Sequence, residues 1–291
     1  MKTLISTALL LMTFNLFGQE EGRRASGDLS PWSKMDESST APIVAYTLVS
    51  DANLREKPDA NAKIVQKLAI ATKITISEVD KTEITLNGFK APWCKVSLSN
   101  GTVGYLWGGV LSCATFVYDQ EYDDEKGLMI LAGVSSFEEK TGKTLIQIRA
   151  VKNGIELSKT EFSAQADVGY YLDIIHNDCK VFENVNNVFE VDLYYPACGY
   201  ASSENLYFFS KNKFIKAMTT SSVSDAGAFF AVESVLLPCD KGGIANHVML
   251  IKNEGEYDEN INGEPKLKTQ SYNIDLFKWT GDKLIKVKSW K

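Results

Sequence analysis

The residues best suited to covalent chemistry in this sequence are its five cysteines and two histidines. A cysteine hydrolase needs a thiol beside a histidine that accepts its proton. Cys198 and His247 are the candidate pair. Cys198 follows a predicted strand and opens no helix, whose N-terminus would activate a thiol. The sequence therefore favours a protein without catalysis, with a Cys/His hydrolase as an alternative.

A calcium-binding pattern is the second candidate for chemistry. Residues 258–263 read Asp-Glu-Asn-Ile-Asn-Gly, which places the oxygens of Asp258, Asn260 and Asn262 as in the first half of a calcium loop. The twelfth position is Thr269, where a bidentate Glu is needed, so a solvated acidic turn is the simpler interpretation. Cysteines and histidines do not form two close pairs, so zinc is not predicted. We expect no metal and no cofactor.

The cysteines also bear on disulfide bonding, which an oxidising compartment allows. Their number is odd, so at least one thiol stays unpaired, and spacing does not fix the connectivity. We predict one bridge among the three cysteines of the C-terminal half, Cys179, Cys198 and Cys239. The alternative is that Cys94, Cys113 and these three all pack as small apolar residues.

Residues 1–18 have the pattern of a secretion signal. Lys2 is followed by an apolar run from Thr3 to Phe17, and Gly18 is a small residue at a cleavage site. No later segment reaches the roughly 18 uninterrupted apolar residues that a membrane helix needs. We expect a soluble mature protein that is periplasmic or secreted.

Composition indicates an all-β protein. The 12 Tyr, 14 Phe and 5 Trp occur with Val, Ile and Thr in short runs separated by Asn, Asp and Gly. Removing the signal takes away one charge, which moves the formal net charge from −6 to −7. The chain has neither the basic footprint of a nucleic-acid-binding protein nor a basic amphipathic stretch for anionic lipid.

The mature sequence divides into four parts by composition. A stretch rich in Ser, Gly, Pro and charge comes first, and we predict that it is a disordered spacer in which Trp32 and Met35 could dock on a domain. The predicted parts are the spacer 19–43, a small barrel 44–112, an acidic linker 113–127 and a β-rich domain 128–291.

Short strands and tight turns fill the predicted barrel. Ile64–Leu68 and Lys73–Val79 alternate apolar and polar residues, as half-buried strands do. Asn100-Gly101 predicts a two-residue type I′ hairpin turn, because both central residues of that turn need positive φ. A second hairpin is predicted around Asn87-Gly88, inside a long insertion from Lys81 to Pro92.

Three motifs in this region resemble the bacterial Src-homology-3-like (SH3b) domain family. The first is the start Ala52-Asn53-Leu54-Arg55-Glu56-Lys57-Pro58. The second is the strand Trp93-Cys94-Lys95-Val96, and the third is the hairpin Gly101-Thr102-Val103-Gly104-Tyr105. The resemblance covers residues 46–112 and departs from the family at Ala71, where a turn glycine is usual, and at the long insertion.

This resemblance implies an SH3-like barrel that binds peptidoglycan stem peptides or a protein of the cell envelope. Aromatic side chains supply contact area with a polar tip, which suits peptide or sugar recognition. The alternative for some of them is burial in the barrel core. The candidate ligand-binding residues are Tyr46, Asn53, Arg55, Trp93, Tyr105 and Trp107.

The C-terminal domain reads as an antiparallel β-meander or sandwich. Its clearest hairpin joins Leu145–Val151 to Glu156–Phe162 through Asn153-Gly154. We predict that the whole chain is an exported, non-catalytic binding protein of the cell envelope. Besides the hydrolase, a further alternative is a periplasmic inhibitor that inserts a loop, Asp240–Asn246 or Glu254–Pro265, into its target.

Overall fold

Nearly all the regular secondary structure of this chain is β-strand. The computed structural model describes residues 23–32, 43–118, 126–165, 170–179, 182–258 and 266–291, and of residues 23–28 only the backbone. Within those ranges, one 3₁₀ turn is the only helical element, and the first strand is β1 (Arg23–Asp28). The predicted all-β class is confirmed.

The barrel is a curled six-stranded antiparallel sheet with the order β2-β5-β6-β7-β3-β4. Alternate residues point inward, and Leu54, Ile76, Val96 and Leu106 are completely buried in its core. The 3₁₀ turn, Gly108–Val110, follows the last strand. The strands are β2 (Ile43–Tyr46), β3 (Ala52–Arg55), β4 (Ile64–Leu68), β5 (Lys73–Leu86), β6 (Phe89–Leu98) and β7 (Val103–Trp107).

A four-stranded antiparallel sheet follows, with the order β11-β10-β9-β8. Its first strand lies inside the predicted acidic linker, which is a correction to that prediction. Alternate residues Ala114, Phe116 and Tyr118 are buried there, which is the period-two pattern of a half-buried strand just before the acidic residues. Residues 119–125 lie outside the described ranges. The strands are β8 (Ala114–Val117), β9 (Leu128–Glu138), β10 (Lys143–Lys152) and β11 (Ile155–Gln165).

The third sheet has nine strands in the order β1-β12-β13-β14-β15-β16-β17-β18-β19, all antiparallel. Its β12–β14 part shares one apolar core with the four-stranded sheet, so the predicted meander and sandwich are both confirmed. The further strands are β12 (Tyr171–Asn177), β13 (Asn187–Tyr194), β14 (Ser202–Ser210), β15 (Lys213–Asp225), β16 (Phe229–Leu236), β17 (His247–Asp258), β18 (Lys266–Trp279) and β19 (Leu284–Trp290).

Part of the predicted disordered spacer is ordered. Strand β1 pairs with β12, from Arg23 opposite His176 to Asp28 opposite Tyr171. Leu29 follows with 1% exposure and enters the sandwich core. The edge of β12 offers unpaired backbone groups that any extended segment can use, which composition alone does not reveal. Residues 1–22, with the predicted signal, and residues 33–42, with Met35, lie outside the described ranges.

Two of the three candidate cysteines form the disulfide. Cys179 and Cys239 are bridged, with 5.5 Å between their Cα atoms. The remaining candidate, Cys198, is an exposed thiol, while Cys94 and Cys113 are buried. Burial raises the pKa of Cys94 to about 12, which keeps that thiol protonated and unreactive.

The barrel and the four-stranded sheet contact each other in the described part of the chain. Leu48 and Ile70 of the barrel pack with Leu131 and Val151 in a small buried cluster. At the tip of the long β5–β6 hairpin, the Asn87 carbonyl accepts a hydrogen bond from the Phe137 N–H of β9 over 3.2 Å. The insertion therefore reaches across to the neighbouring sheet.

Candidate functional site

The outer face of strands β3, β7 and β6 carries most of the predicted ligand-binding residues. Along β7, Gly104 and Leu106 point inward, whereas Val103, Tyr105 and Trp107 point outward. A Cβ at Gly104 would lie 2.7 Å from the Leu54 side chain and 2.8 Å from the Arg55 carbonyl. Glycine at this position therefore allows β3 to approach β7 closely and brings their outward side chains together.

An open row of side chains crosses this face. Tyr105 lies opposite Arg55 on one side and Lys95 on the other, and Lys95 lies opposite Glu78. Cross-strand partners point to the same face. The Lys95 Nζ is 3.3 Å from a Glu78 carboxylate oxygen, and both side chains are well exposed. We call Arg55, Tyr105, Lys95 and Glu78 the open row; it presents one aromatic ring between two cations.

Arg55 also has a structural task. Its Nη1 donates a hydrogen bond of 2.6 Å to the Ala62 carbonyl. The loop that it braces is closed by a bond of 3.1 Å from the Glu56 N–H to the Lys63 carbonyl. A guanidinium has five N–H donors, so one such bond leaves donors for a ligand.

The two tryptophans that were predicted to bind ligand, Trp93 and Trp107, form the other half of this outer face. Trp93 lies opposite Trp107 in the β6–β7 register, yet Trp93 is only 3% exposed. The Trp107 indole N–H is shared between the carbonyls of Ile84 at 3.3 Å and Ala91 at 3.2 Å. The base of the insertion hairpin thus holds Trp107 in place. Among the described residues, the buried Trp93 N–H has no hydrogen-bond partner.

A segment outside the barrel covers this aromatic half. The Trp32 ring lies 6.2 Å from that of Phe89, which lies 6.4 Å from that of Trp107. A Cβ at Gly108 would meet the Trp32 ring at 2.7 Å, and one at Gly109 would meet the Trp107 ring at 2.2 Å. The two glycines after Trp107 each make room for one indole. We call Trp32, Phe89, Trp93 and Trp107 the aromatic cluster.

The remaining predicted residues lie apart or on the rim. Asn53 is two residues from Arg55 on the same strand and shares its outward face. Tyr46 packs instead against the buried cluster around Leu48 and Ile70, so it is not part of the open row. Of the six predicted ligand residues, the structure brings Arg55 and Tyr105 together in the open row and places Trp93 opposite Trp107 in the β6–β7 register.

Sequence reasoning missed several members of this face. The motif Trp93–Val96 contains Lys95 but gives it no role. Only the register of β6 and β7 shows that Lys95 lies beside Tyr105. The run Trp107-Gly108-Gly109 was a visible signal, because paired glycines beside a tryptophan allow close ring-on-backbone packing. Phe89 comes from the insertion, where no pattern indicated a contact. The sequence predicts that Trp32 could dock on a domain, but not its place beside Phe89 and Gly108.

The Cys198–His247 hydrolase pair is separated in the fold. The Gly199 N–H donates to the Ser224 carbonyl over 2.7 Å, which places Cys198 at the end of the nine-stranded sheet where β15 finishes. His247 begins β17 at the opposite end, where β16 finishes. Strands of this length put about 25 Å between the two ends, so the thiol and imidazole do not meet.

The metal candidates are not assembled in the described part of the chain. Asp258 ends β17, with its carboxylate 3.8 Å from the Lys268 Nζ, and Asn260 and Asn262 lie outside the described ranges. His176 is buried, with its Nε2 2.9 Å from the Asn187 side-chain oxygen. Across the described ranges, no three or more His, Cys, Asp or Glu residues group as metal ligands would.

The structure also shows where the two loops predicted for an inhibitor begin. Asp240 accepts a hydrogen bond of 2.6 Å from the Leu237 N–H, so the Asp240–Asn246 turn starts beside the disulfide. The first residues of Glu254–Pro265 belong to strand β17, and residues 259–265 lie outside the described ranges.

Comparison with known proteins agrees with the predicted SH3-like barrel. Residues 50–112 match the family model of the bacterial SH3 domain, which confirms the resemblance for that segment. No curated protein and no solved structure matches the chain. In the part of the chain that the structure describes, there is no helix with the length and apolar character needed to cross a membrane.

Proposed function

We propose that this chain is an exported, non-catalytic binding protein of the cell envelope, whose bacterial SH3 domain binds a peptidoglycan peptide or an envelope protein. The observation that carries this proposal is the open row, in which Tyr105 is flanked by Arg55 and Lys95. An aromatic ring between two cations suits a short peptide that bears carboxylates.

Two features support export. The sequence of residues 1–18 has the order of charge, apolar run and small residue that secretion signals share. The Cys179–Cys239 disulfide fits an oxidising compartment outside the cytoplasm. Fractionation of cells that express the full chain tests this part, because recovery in the cytoplasm at full length would contradict it.

Ligand binding by the open row is tested on purified, protein-free peptidoglycan with residues 19–291. We expect retention of the wild type and a loss of at least about tenfold for Tyr105→Ala/Lys95→Ala, because aromatic and charged anchors dominate such contacts. Arg55 is left intact since it braces its loop.

The matched control is Tyr272→Ala/Lys268→Ala, which removes the same residue types from strand β18. Tyr272 is 45% exposed and lies outside the barrel, so this variant should be retained like the wild type. Circular dichroism checks that both variants are folded. If even the wild type is not retained, peptidoglycan is not the ligand, and an envelope protein becomes the partner to seek.

A further inference from the structure

Strands β16 to β19 of the nine-stranded sheet have one face that belongs to no apolar core in the described part of the chain. An antiparallel sheet with one solvated face usually directs its apolar residues inward and its polar residues outward. On the inward face of these strands, Val248 and Trp279 belong to the core around Phe208. The opposite face is also apolar, which reverses the usual pattern.

Apolar side chains on that opposite face form rows that cross the strands. Ile251, Ile274 and Trp290 lie opposite one another on β17, β18 and β19, and Trp290 is 38% exposed. In the next row, Val232 of β16 and Tyr272 of β18 are 37% and 45% exposed. We call this surface the apolar face; its central residues are Val232, Met249, Ile251, Tyr272, Ile274 and Trp290.

The carboxylates of the same four strands all point to the inward face. Glu233 of β16 pairs with Lys252 of β17, and Asp275 of β18 lies 2.7 Å from the Nζ of Lys286 on β19. The register places these four side chains on the same face as Val248. The strands therefore keep their acidic groups on one side and leave the middle of the apolar face without charge.

We propose that the apolar face binds the same face of a second copy of this chain, so that two nine-stranded sheets stack in a symmetric dimer. Stacked sheets lie about 10 Å apart and interlock their side chains. A two-fold axis uses one surface on both copies, so a single apolar face is sufficient. The inference goes beyond the proposed function and does not depend on it.

The distribution of charge favours a second copy over other partners. An anionic polymer or lipid surface would need cations in the middle of the face, and none lies there. Lys278 and Lys288 are on the apolar face but towards the end where β17 begins. If the two-fold axis runs across the strands, this end of each copy lies over the end where Glu256 and Asp258 finish β17. The lysines of the two copies then stay apart, which avoids the repulsion of like charges.

The size of the apolar face also fits a dimer interface. Strands lie about 4.8 Å apart and rise about 3.3 Å per residue, so four strands over about eight residues cover about 500 Å². Contiguous apolar patches of this size mark interaction surfaces, whereas single exposed apolar residues do not. Two such faces together bury about 1,000 Å², the lower size of a specific interface. We therefore expect a dissociation constant of about 1–100 µM.

Sedimentation velocity over a range of concentrations tests the dimer. Every protein lacks residues 1–18 and carries Cys198→Ala, because this exposed thiol would otherwise be able to link two copies. We expect the reference protein to be mainly dimeric above the dissociation constant and monomeric well below it. Val232→Glu and, separately, Trp290→Glu place carboxylates within both stacked faces, so each should weaken association at least about tenfold.

Phe229→Glu supplies the matched control. Phe229 lies on the same strand as Val232, is similarly exposed at 40%, and points to the other face of the sheet. This variant should associate like the reference protein. Circular dichroism checks that all variants are folded; if one apolar-face variant is unfolded, the other decides.

A reference protein that stays monomeric at every concentration up to about 100 µM would overturn the proposal. So would a dimer that the folded apolar-face variants leave intact, or one that Phe229→Glu weakens equally. The result is separable from ligand binding by the open row. Val232→Glu should be retained on peptidoglycan like the wild type, since Tyr105 and Lys95 belong to the barrel.

Discussion

At the scale of single residues, Ala71 is a position where this barrel departs from the bacterial SH3 domains that it resembles. Its φ is +59°, a left-handed conformation that L-residues other than glycine adopt at a cost of about 1–2 kcal/mol. The Ala71 N–H donates to the Thr47 carbonyl over 2.9 Å, and the Thr47 hydroxyl accepts from the Thr72 N–H over 2.9 Å. These bonds hold the turn in its shape without the usual glycine.

We predict that Ala71→Gly raises the free energy of unfolding by about 0.5–1 kcal/mol, because the relief of strain exceeds the added entropy of glycine in the unfolded chain. Urea denaturation measures the change. Ala69→Gly, at a position without positive φ, is the control and should lower stability by about 0.5–1 kcal/mol. A loss of stability in both variants would show that Ala71 carries no strain.

At the scale of elements, three Asn-Gly pairs show how far turn chemistry predicts a fold. Asn87-Gly88 and Asn153-Gly154 both have φ near +52° and +74°, as a type I′ turn requires. The type I′ prediction for Asn100-Gly101 is wrong, because only Gly101 has positive φ, at +85°. The Leu98 N–H donates to the Thr102 carbonyl, so the loop has three residues. The sequence predicts that a hairpin forms there; the strand register decides its turn type.

The two type I′ turns differ in their surroundings, which gives a matched pair of substitutions. A Cβ at Gly88 would lie 2.0 Å from the Phe137 carbonyl oxygen, whereas a Cβ at Gly154 meets nothing within 4 Å. We expect Gly154→Ala to lower the free energy of unfolding by about 1–2 kcal/mol through backbone strain alone.

Gly88→Ala should cost at least about 1 kcal/mol more than Gly154→Ala, because the hairpin tip must also move away from β9. Urea denaturation of both variants measures the difference. Equal losses would mean that the contact between the insertion and the four-stranded sheet contributes nothing to stability.

At the scale of the whole molecule, local patterns predicted the strands but not how the sheets join. Period-two alternation and turn residues are local signals, and they predicted strands, hairpins and the meander, whereas the barrel was implied by the resemblance to bacterial SH3 domains. The packing of Leu48 and Ile70 on Leu131 and Val151 joins residues far apart in sequence, as does the pairing of β1 with β12. For the same reason, the open row and the aromatic cluster could be named only in part from their residue types.

The disulfide also acts at this scale. Cys179 and Cys239 are 60 residues apart and connect the segment before β13 to the loop after β16. We predict that Cys179→Ala/Cys239→Ala lowers the free energy of unfolding by roughly 2–4 kcal/mol, because a cross-link of this span restricts the unfolded chain. Cys198→Ala, which removes an exposed thiol, should change it by less than about 0.5 kcal/mol. Comparable midpoints in urea for the double variant and the wild type would argue against the bridge.

The place of β1 at the edge of the nine-stranded sheet bears on the timing of folding. Arg23 leaves the ribosome early, yet its partner His176 is synthesised only after half of the chain has followed. Contacts between such distant segments form slowly. The sandwich core cannot close around Leu29 until that pairing is made. We therefore expect the N-terminal strand to join the nine-stranded sheet late, only after β12 has been synthesised.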